Sequence, residues 1–235
     1  MELVLSQKPK NPTIITGFPG LGLVGTIAAE FLVNHLHMQK IGKIVLLGMP
    51  AMVAVHQYHL VDAISVYYAP HENIVVVHAL SAAAGQEWQL AKEIELMSRM
   101  LSAKEIICLE GVASTERKKE FGTFFFSTTE SKKKQLQTFG LQPLEEGVVI
   151  GLTAGLLSSM PTHVVCLFAE TASQLPDSKA AASLIKALDQ YLGLQVDYKP
   201  LLVEAQRFED KLRTILSQGQ KTQELSDKKW MSYVG

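Results

Sequence analysis

The sequence is poor in cysteine, in charge and in catalytic motifs, and each shortage excludes something. Two cysteines occur in 235 residues, Cys108 and Cys166. Each lies inside an apolar run, IICLEG and VVCLFAE, without a basic or histidine neighbour to lower its pKa. Both read as reduced core thiols of a cytoplasmic protein, not as a disulfide or a nucleophile. Charged residues make up 19% of the chain, the formal net charge is -1, and no basic block stands out. Nothing in that balance points to nucleic acid. No uncharged apolar stretch of about 18 residues runs free of turn signals, so no membrane span is expected. The opening MELVLSQKPKNP lacks the charged-then-apolar order of a signal peptide. A Gly-x-Ser-x-Gly elbow, a Walker lysine and a Cys-x-x-Cys pair are all missing, and no cofactor is expected.

What the chain has in quantity is apolar side chain, 47% of it. That suits a large core, such as a sheet covered by helices on both faces. One stretch organises the rest, Thr13 to Val33, TIITGFPGLGLVGTIAAEFLV. Thr13 to Thr16 has the β-branched composition of a buried strand. Gly17, Gly20, Gly22 and Gly25 follow, and Thr26 to Leu36 then has the Ala- and Leu-rich content of a helix. Gly20, Gly22 and Gly25 spell Gly-x-Gly-x-x-Gly, which lets a backbone approach a pyrophosphate at a helix start. A dinucleotide site also wants an acid about 20 residues on to hold the ribose. None lies between Glu30 and Asp62. Two readings stay open: glycines that let the helix pack closely on the sheet, or a phosphate or nucleotide loop.

Further strands are expected at Lys43 to Leu47, Val53 to Leu60, Ala63 to Tyr68, Asn73 to His78, Ile106 to Leu109, Thr123 to Ser127 and Val164 to Phe168. Lys43 to Leu47 is placed, with Thr13 to Thr16, Ile106 to Leu109 and Val164 to Phe168, among the central strands of one mostly parallel sheet. Gln86 to Leu101 carries the helical period through Trp88, Ala91, Ile94, Glu95, Met97 and Leu101. Lys132 to Lys134 begin a short solvated helix ending at Gly140. Gly147 to Pro161 (GVVIGLTAGLLSSMP) reads as a buried helix close to a sheet. Asp177 or Ser178 caps a helix that Gly193 stops. Residues 1–198 thus form an α/β core. Residues 199–219 form an amphipathic helix with Leu202, Phe208, Leu212 and Ile215 on its apolar stripe, expected to be buried against its own core or, the favoured reading, at a subunit interface. Residues 220–235 are a polar tail that ends in Trp230, Met231, Tyr233, Val234 and Gly235, expected either to dock on a partner or to fold back onto its own domain or subunit.

Candidate chemistry is sparse. His56, His59 and Asp62 have metal-like spacing, but their run reads as one strand, which turns His56 and His59 to opposite faces. No metal site is expected there. Glu110 and Glu170 sit just past the C-terminal ends of buried strands, where open α/β sheets place their sites. A pair of carboxylates there can do acid–base work, or can bind loop amides and do none.

Three landmarks carry a resemblance. GFPGLGLVG at Gly17 to Gly25, GLTAGLL at Gly151 to Leu157, and LFAET followed by PDSKAAASLIKALDQYLGL from Leu167 resemble the proteasome assembly chaperone family in its archaeal-type branch. VDYKPLLVEAQRFED, which follows, looks familial as well. The resemblance implies a three-layer α/β fold broadly similar to nucleoside phosphorylases, without an established catalytic site. It also implies homo-oligomers and a partnership with proteasome α subunits. Family members can end in a hydrophobic–Tyr–any tail; here Val234 is penultimate and Tyr233 is third from last. The function expected is a chaperone or adaptor that is not an enzyme. The alternative is a small-molecule enzyme or nucleotide binder using Gly20, Gly22, Gly25, Glu110 and Glu170.

Overall fold

The computed structural model describes residues 2–48, 51–56, 58–81, 84–113, 122–171 and 175–200, together with Val203 and Thr214. Strands β1 (Glu2–Leu5), β2 (Thr13–Gly17) and β3 (Gln39–Val45) open the chain, with helix α1 (Val24–His35) between the last two. Then come β4 (Val53–His56), β5 (His59–Asp62), β6 (Ile64–Ala69), β7 (Ile74–Ala79), α2 (Glu87–Leu101), β8 (Glu105–Ala113) and β9 (Thr123–Ser127). Helix α3 (Glu130–Thr138), β10 (Gln142–Pro143), α4 (Leu152–Ser159), β11 (Val164–Thr171) and α5 (Ser178–Leu192) complete the described elements.

Nine strands form one sheet in the order β1-β3-β6-β7-β2-β8-β11-β9-β10. Its middle is parallel, β7 to β2 to β8 to β11. Antiparallel strands flank it, β6 and β3 on one side and β9 on the other. Helices α1 and α5 cover one face, and α2 and α4 the other. The layered α/β architecture expected from the sequence is the one observed. Every residue of β2 and β11 is buried, as strands covered on both faces must be.

Four local readings change. The strand placed at Lys43 to Leu47 runs from Gln39 to Val45, second from one edge and antiparallel to both neighbours. Its half-exposed pattern fits that place. The run with His56 and His59 is a hairpin, not one strand: β4 and β5 pair apart from the main sheet, with His56 opposite His59. Tyr58 makes the turn with φ +65°. In Gly147 to Pro161 the helix is confined to Leu152–Ser159. Gly151, at φ +78°, separates it from an irregular segment in which Val148 and Ile150 are exposed. Gly155 then sets this helix against α2, since a β-carbon there would stand 3.0 Å from that of Ala91. Finally, Trp88 does not join the buried stripe of α2 and is 69% exposed, while Leu90, Ala91, Ile94, Met97 and Leu101 face the core.

Helix α5 begins and ends where its sequence says. The Asp177 carboxylate accepts from the Ala180 N–H at 3.0 Å, and Gly193 closes the helix at φ +68°. Beyond it, Lys199, Pro200, Val203 and Thr214 are helical. Leu202, Phe208, Leu212 and Ile215, and the tail with Trp230, Met231, Tyr233, Val234 and Gly235, lie outside the described residues.

Candidate functional site

Parallel pairing brings the C-terminal ends of β2, β8 and β11 to one edge of the sheet. Open α/β sheets place ligand crevices at such an edge. Register then decides which side chains share a face. Glu110 pairs with Phe168 and Val112 with Glu170. Residues directly paired, or two apart along a strand, point to the same side. Glu110, Phe168 and Glu170 therefore face the α2–α4 layer, where Phe168 and Phe18 belong to the core.

A cavity of about 820 Å³ opens there. Phe18, Phe124 and Phe168 give it aromatic walls, Leu144, Leu152 and the Gly147–Ile150 segment give aliphatic ones, and Gly20 and Leu21 close one side. Four carboxylates, Glu87, Glu110, Glu146 and Glu170, also line it. No Lys, Arg or His belongs to its described walls.

The two strand-end acids differ in what they do. The Thr153 hydroxyl, at the start of α4, donates to Glu110 Oε1 at 2.6 Å. Glu110 Oε2 faces Gly20, where a β-carbon would stand 3.0 Å from it. Among the described residues no donor reaches that oxygen. Burial pushes the Glu110 carboxyl up from 4.5 to about 7, against the opposing pull of the Thr153 hydrogen bond. Near neutral pH it therefore exists both as acid and as carboxylate. Glu170 is 7% exposed, and its Oε2 accepts from the Gly122 N–H at 2.7 Å. The Glu170 N–H in turn donates to the Gly122 carbonyl at 3.0 Å, so Glu170 ties the start of β9 to the end of β11. The sequence places both acids at the site; only the structure shows that a hydroxyl of α4 holds Glu110 and a backbone amide holds Glu170.

The glycines sort in the same way. Gly20 lines the cavity. A β-carbon at Gly25 would lie 2.1 Å from the Leu109 carbonyl oxygen, and one at Gly17 would lie 2.2 Å from the Ala29 β-carbon. These two glycines let α1 lie against the sheet at backbone distance. Gly22 adopts φ +62° beside Thr171, and its carbonyl accepts from the Asp177 N–H at 2.9 Å. Its role is to hold the turn against the start of α5.

Thr153, Phe124, Glu87 and Glu146 were not singled out by sequence reasoning. Glu145-Glu146, two acids ahead of an uncharged run, was the one available signal. Cys108 and Cys166 are free, buried and directly paired across β8 and β11. Contact with Cys108, and then burial, holds the Cys166 thiol well above its ordinary range. Among the described residues no group of three or more His, Cys, Asp or Glu could hold a metal ion. No described helix is long and apolar enough to cross a membrane.

Comparison with known proteins fixes the lineage. Residues 14–216 match the PAC2 family. The chain is a PAC2 family protein. The uncharacterized protein MJ0106 of Methanocaldococcus jannaschii is 26% identical over 231 residues, covering 96% of this chain and 94% of that relative. The crystal structure of Pyrococcus furiosus PbaA, an archaeal homolog of proteasome-assembly chaperone, is 31% identical with a TM-score of 0.84, covering 94% of this chain and 99% of PbaA. Pyrococcus furiosus PbaB, an archaeal proteasome activator, shares the PAC2 fold at 24% identity and a TM-score of 0.76, over 91% of this chain and 98% of PbaB. The resemblance carried by Gly17 to Gly25, Gly151 to Leu157 and the α5 region is thereby borne out.

Proposed function

We propose that this protein is a non-enzymatic chaperone or adaptor of the proteasome-assembly type, working by contact with proteasome α subunits. The likeness to PbaA over almost the whole of both chains carries the reading. The glycine loop supports it, because β-carbons at Gly17, Gly22 and Gly25 would meet helix, strand or loop atoms, the close packing expected of a structural turn. Exposed apolar residues offer contact surface: Val53, Val55, Tyr58 and Leu60 on the β4–β5 hairpin, and Trp88, Leu96 and Met100 on α2. The proposal gives Leu202, Phe208, Leu212 and Ile215 to contacts between copies of the chain, and Trp230, Met231, Tyr233, Val234 and Gly235 to the partner.

Size-exclusion chromatography with light scattering, on the protein mixed with purified α subunits of the cognate proteasome, tests this. A joint species that is lost when Trp230 to Gly235 are deleted is the expected result. Absence of any joint species, for the full chain at tens of micromolar, refutes the partnership.

A further inference from the structure

We propose that the cavity at the strand ends binds a small organic cation, an amidinium, guanidinium or ammonium group on an apolar, ring-bearing body. The charged head pairs with Glu110, and the body lies along Phe18, Phe124 and Phe168. This is a ligand site added to the chaperone reading and independent of it.

The walls select the charge. Four carboxylates line the cavity, and its described walls bring no side-chain cation. An anion such as a phosphate is repelled there, whereas a cation is drawn in. The strand-end carboxylate selects the position. Glu110 is partly buried in the cavity wall, with one oxygen committed to Thr153 and the other meeting no donor among the described residues. A carboxylate oxygen open to the cavity can accept a charge-assisted hydrogen bond from a ligand N–H. Gly20 keeps the approach open, because any side chain there would crowd Oε2. Its backbone is extended, at φ -141°, so conformation does not require a glycine at this point.

The remaining walls select the body. Three phenylalanines offer faces and edges to a planar group, and a cation beside them gains from their π-systems. The volume, about 820 Å³, falls within the roughly 300–1,000 Å³ of small-molecule pockets. A bare metal ion is a poor occupant, because no described group of three or more ligands converges. The cation must bring its own hydrogen-bond donors and its own apolar surface.

Benzamidinium, benzamide and benzoate test the proposal, since they share one planar frame and carry charges of +1, 0 and -1. Each is titrated into the full chain at pH 8 by calorimetry. The expected result is saturable binding of benzamidinium, at least tenfold tighter than benzamide, with none for benzoate. Glu110→Gln, which keeps the shape and can still accept from Thr153, should weaken benzamidinium tenfold or more. Gly20→Ala, which sets a methyl group against Oε2, should weaken it similarly while leaving Glu110 in place. Benzamidinium affinity should also fall about tenfold from pH 8 to pH 6, as Glu110, titrating at about 7, takes up a proton. Glu87 from α2, Glu146 from the adjoining loop, Glu170 and Cys166 from β11, and Thr153 from α4 surround it; the Glu110→Gln variant should lose the pH dependence if Glu110 is its source. No binding of benzamidinium, equal binding of benzamide or benzoate, or an affinity unchanged in Glu110→Gln overturns the proposal.

Discussion

Replacing Glu110 with Gln should stabilise the protein above neutral pH. The carboxyl titrates at about 7 in the fold against an ordinary 4.5, and burial is the cause. A carboxylate whose pKa is raised on folding binds its proton more tightly folded than unfolded. The protein therefore loses stability as pH rises from about 4.5 to about 7. At ~1.4 kcal/mol per tenfold in proton affinity, the full loss is about 3 kcal/mol. Gln has no charge to lose, and it can keep the Thr153 hydrogen bond. Glu110→Gln should thus be about 3 kcal/mol more stable than the parent at pH 8, and about 1 kcal/mol more stable at pH 5. For a chain of this size that corresponds to a Tm roughly 6–12 °C higher at pH 8. Urea unfolding at the two pH values reads both numbers directly. A variant less stable than the parent at pH 8, or a difference that does not shrink by pH 5, would refute the argument that burial sets this group.

Three further outcomes follow from the geometry. Gly25→Ala should cost about 3 kcal/mol or more, because its methyl group meets the Leu109 carbonyl at 2.1 Å; Gly140→Ala, at φ +78° in open space, should cost only about 1 kcal/mol. Denaturant titration that ranks the two the other way would show that α1 can move off the sheet. Asp177→Ala removes the acceptor for both the Ala180 N–H and the Thr171 hydroxyl and should cost about 1–2 kcal/mol; an unchanged urea midpoint would mean that water replaces the cap without loss. Replacing Phe208 and Leu212 with polar residues should shift the protein to smaller species in light scattering, and an unchanged mass would argue that their helix packs within its own chain.

Some of this protein was legible from sequence because the cause was local. Helix α5 starts at an aspartate whose side chain can reach the third N–H onward, and ends at a glycine that enters the left-handed region without strain. Both rules act within a few residues. Strands β2, β8 and β11 were visible as unbroken apolar runs, because burial on both faces leaves no alternation to disguise them. The edge of the sheet was less legible. In β3 exposure alternates irregularly around the glycine that lies against Val4, so composition alone misplaced its ends. The hairpin of β4 and β5 was hidden because a turn without Gly or Pro at its tip, made by Tyr58 at φ +65°, leaves no mark in composition.

The site divides along the same line. That Glu110 and Glu170 lie at strand ends follows from where the apolar runs stop. That one is fastened to the Gly122 amide while the other faces Gly20 with an oxygen unclaimed depends on residues 48 and 90 positions away. Gly20, Gly22 and Gly25 share one motif in the sequence, yet each meets a different neighbour: a carboxylate, the Thr171 side chain and a strand carbonyl. Sequence alone determined the layers, the caps and the family, because these rest on short-range periodicity and on motifs. The tertiary structure decided which glycine packs and what each carboxylate meets, because hydrogen bonding and burial are set by whatever the fold brings alongside.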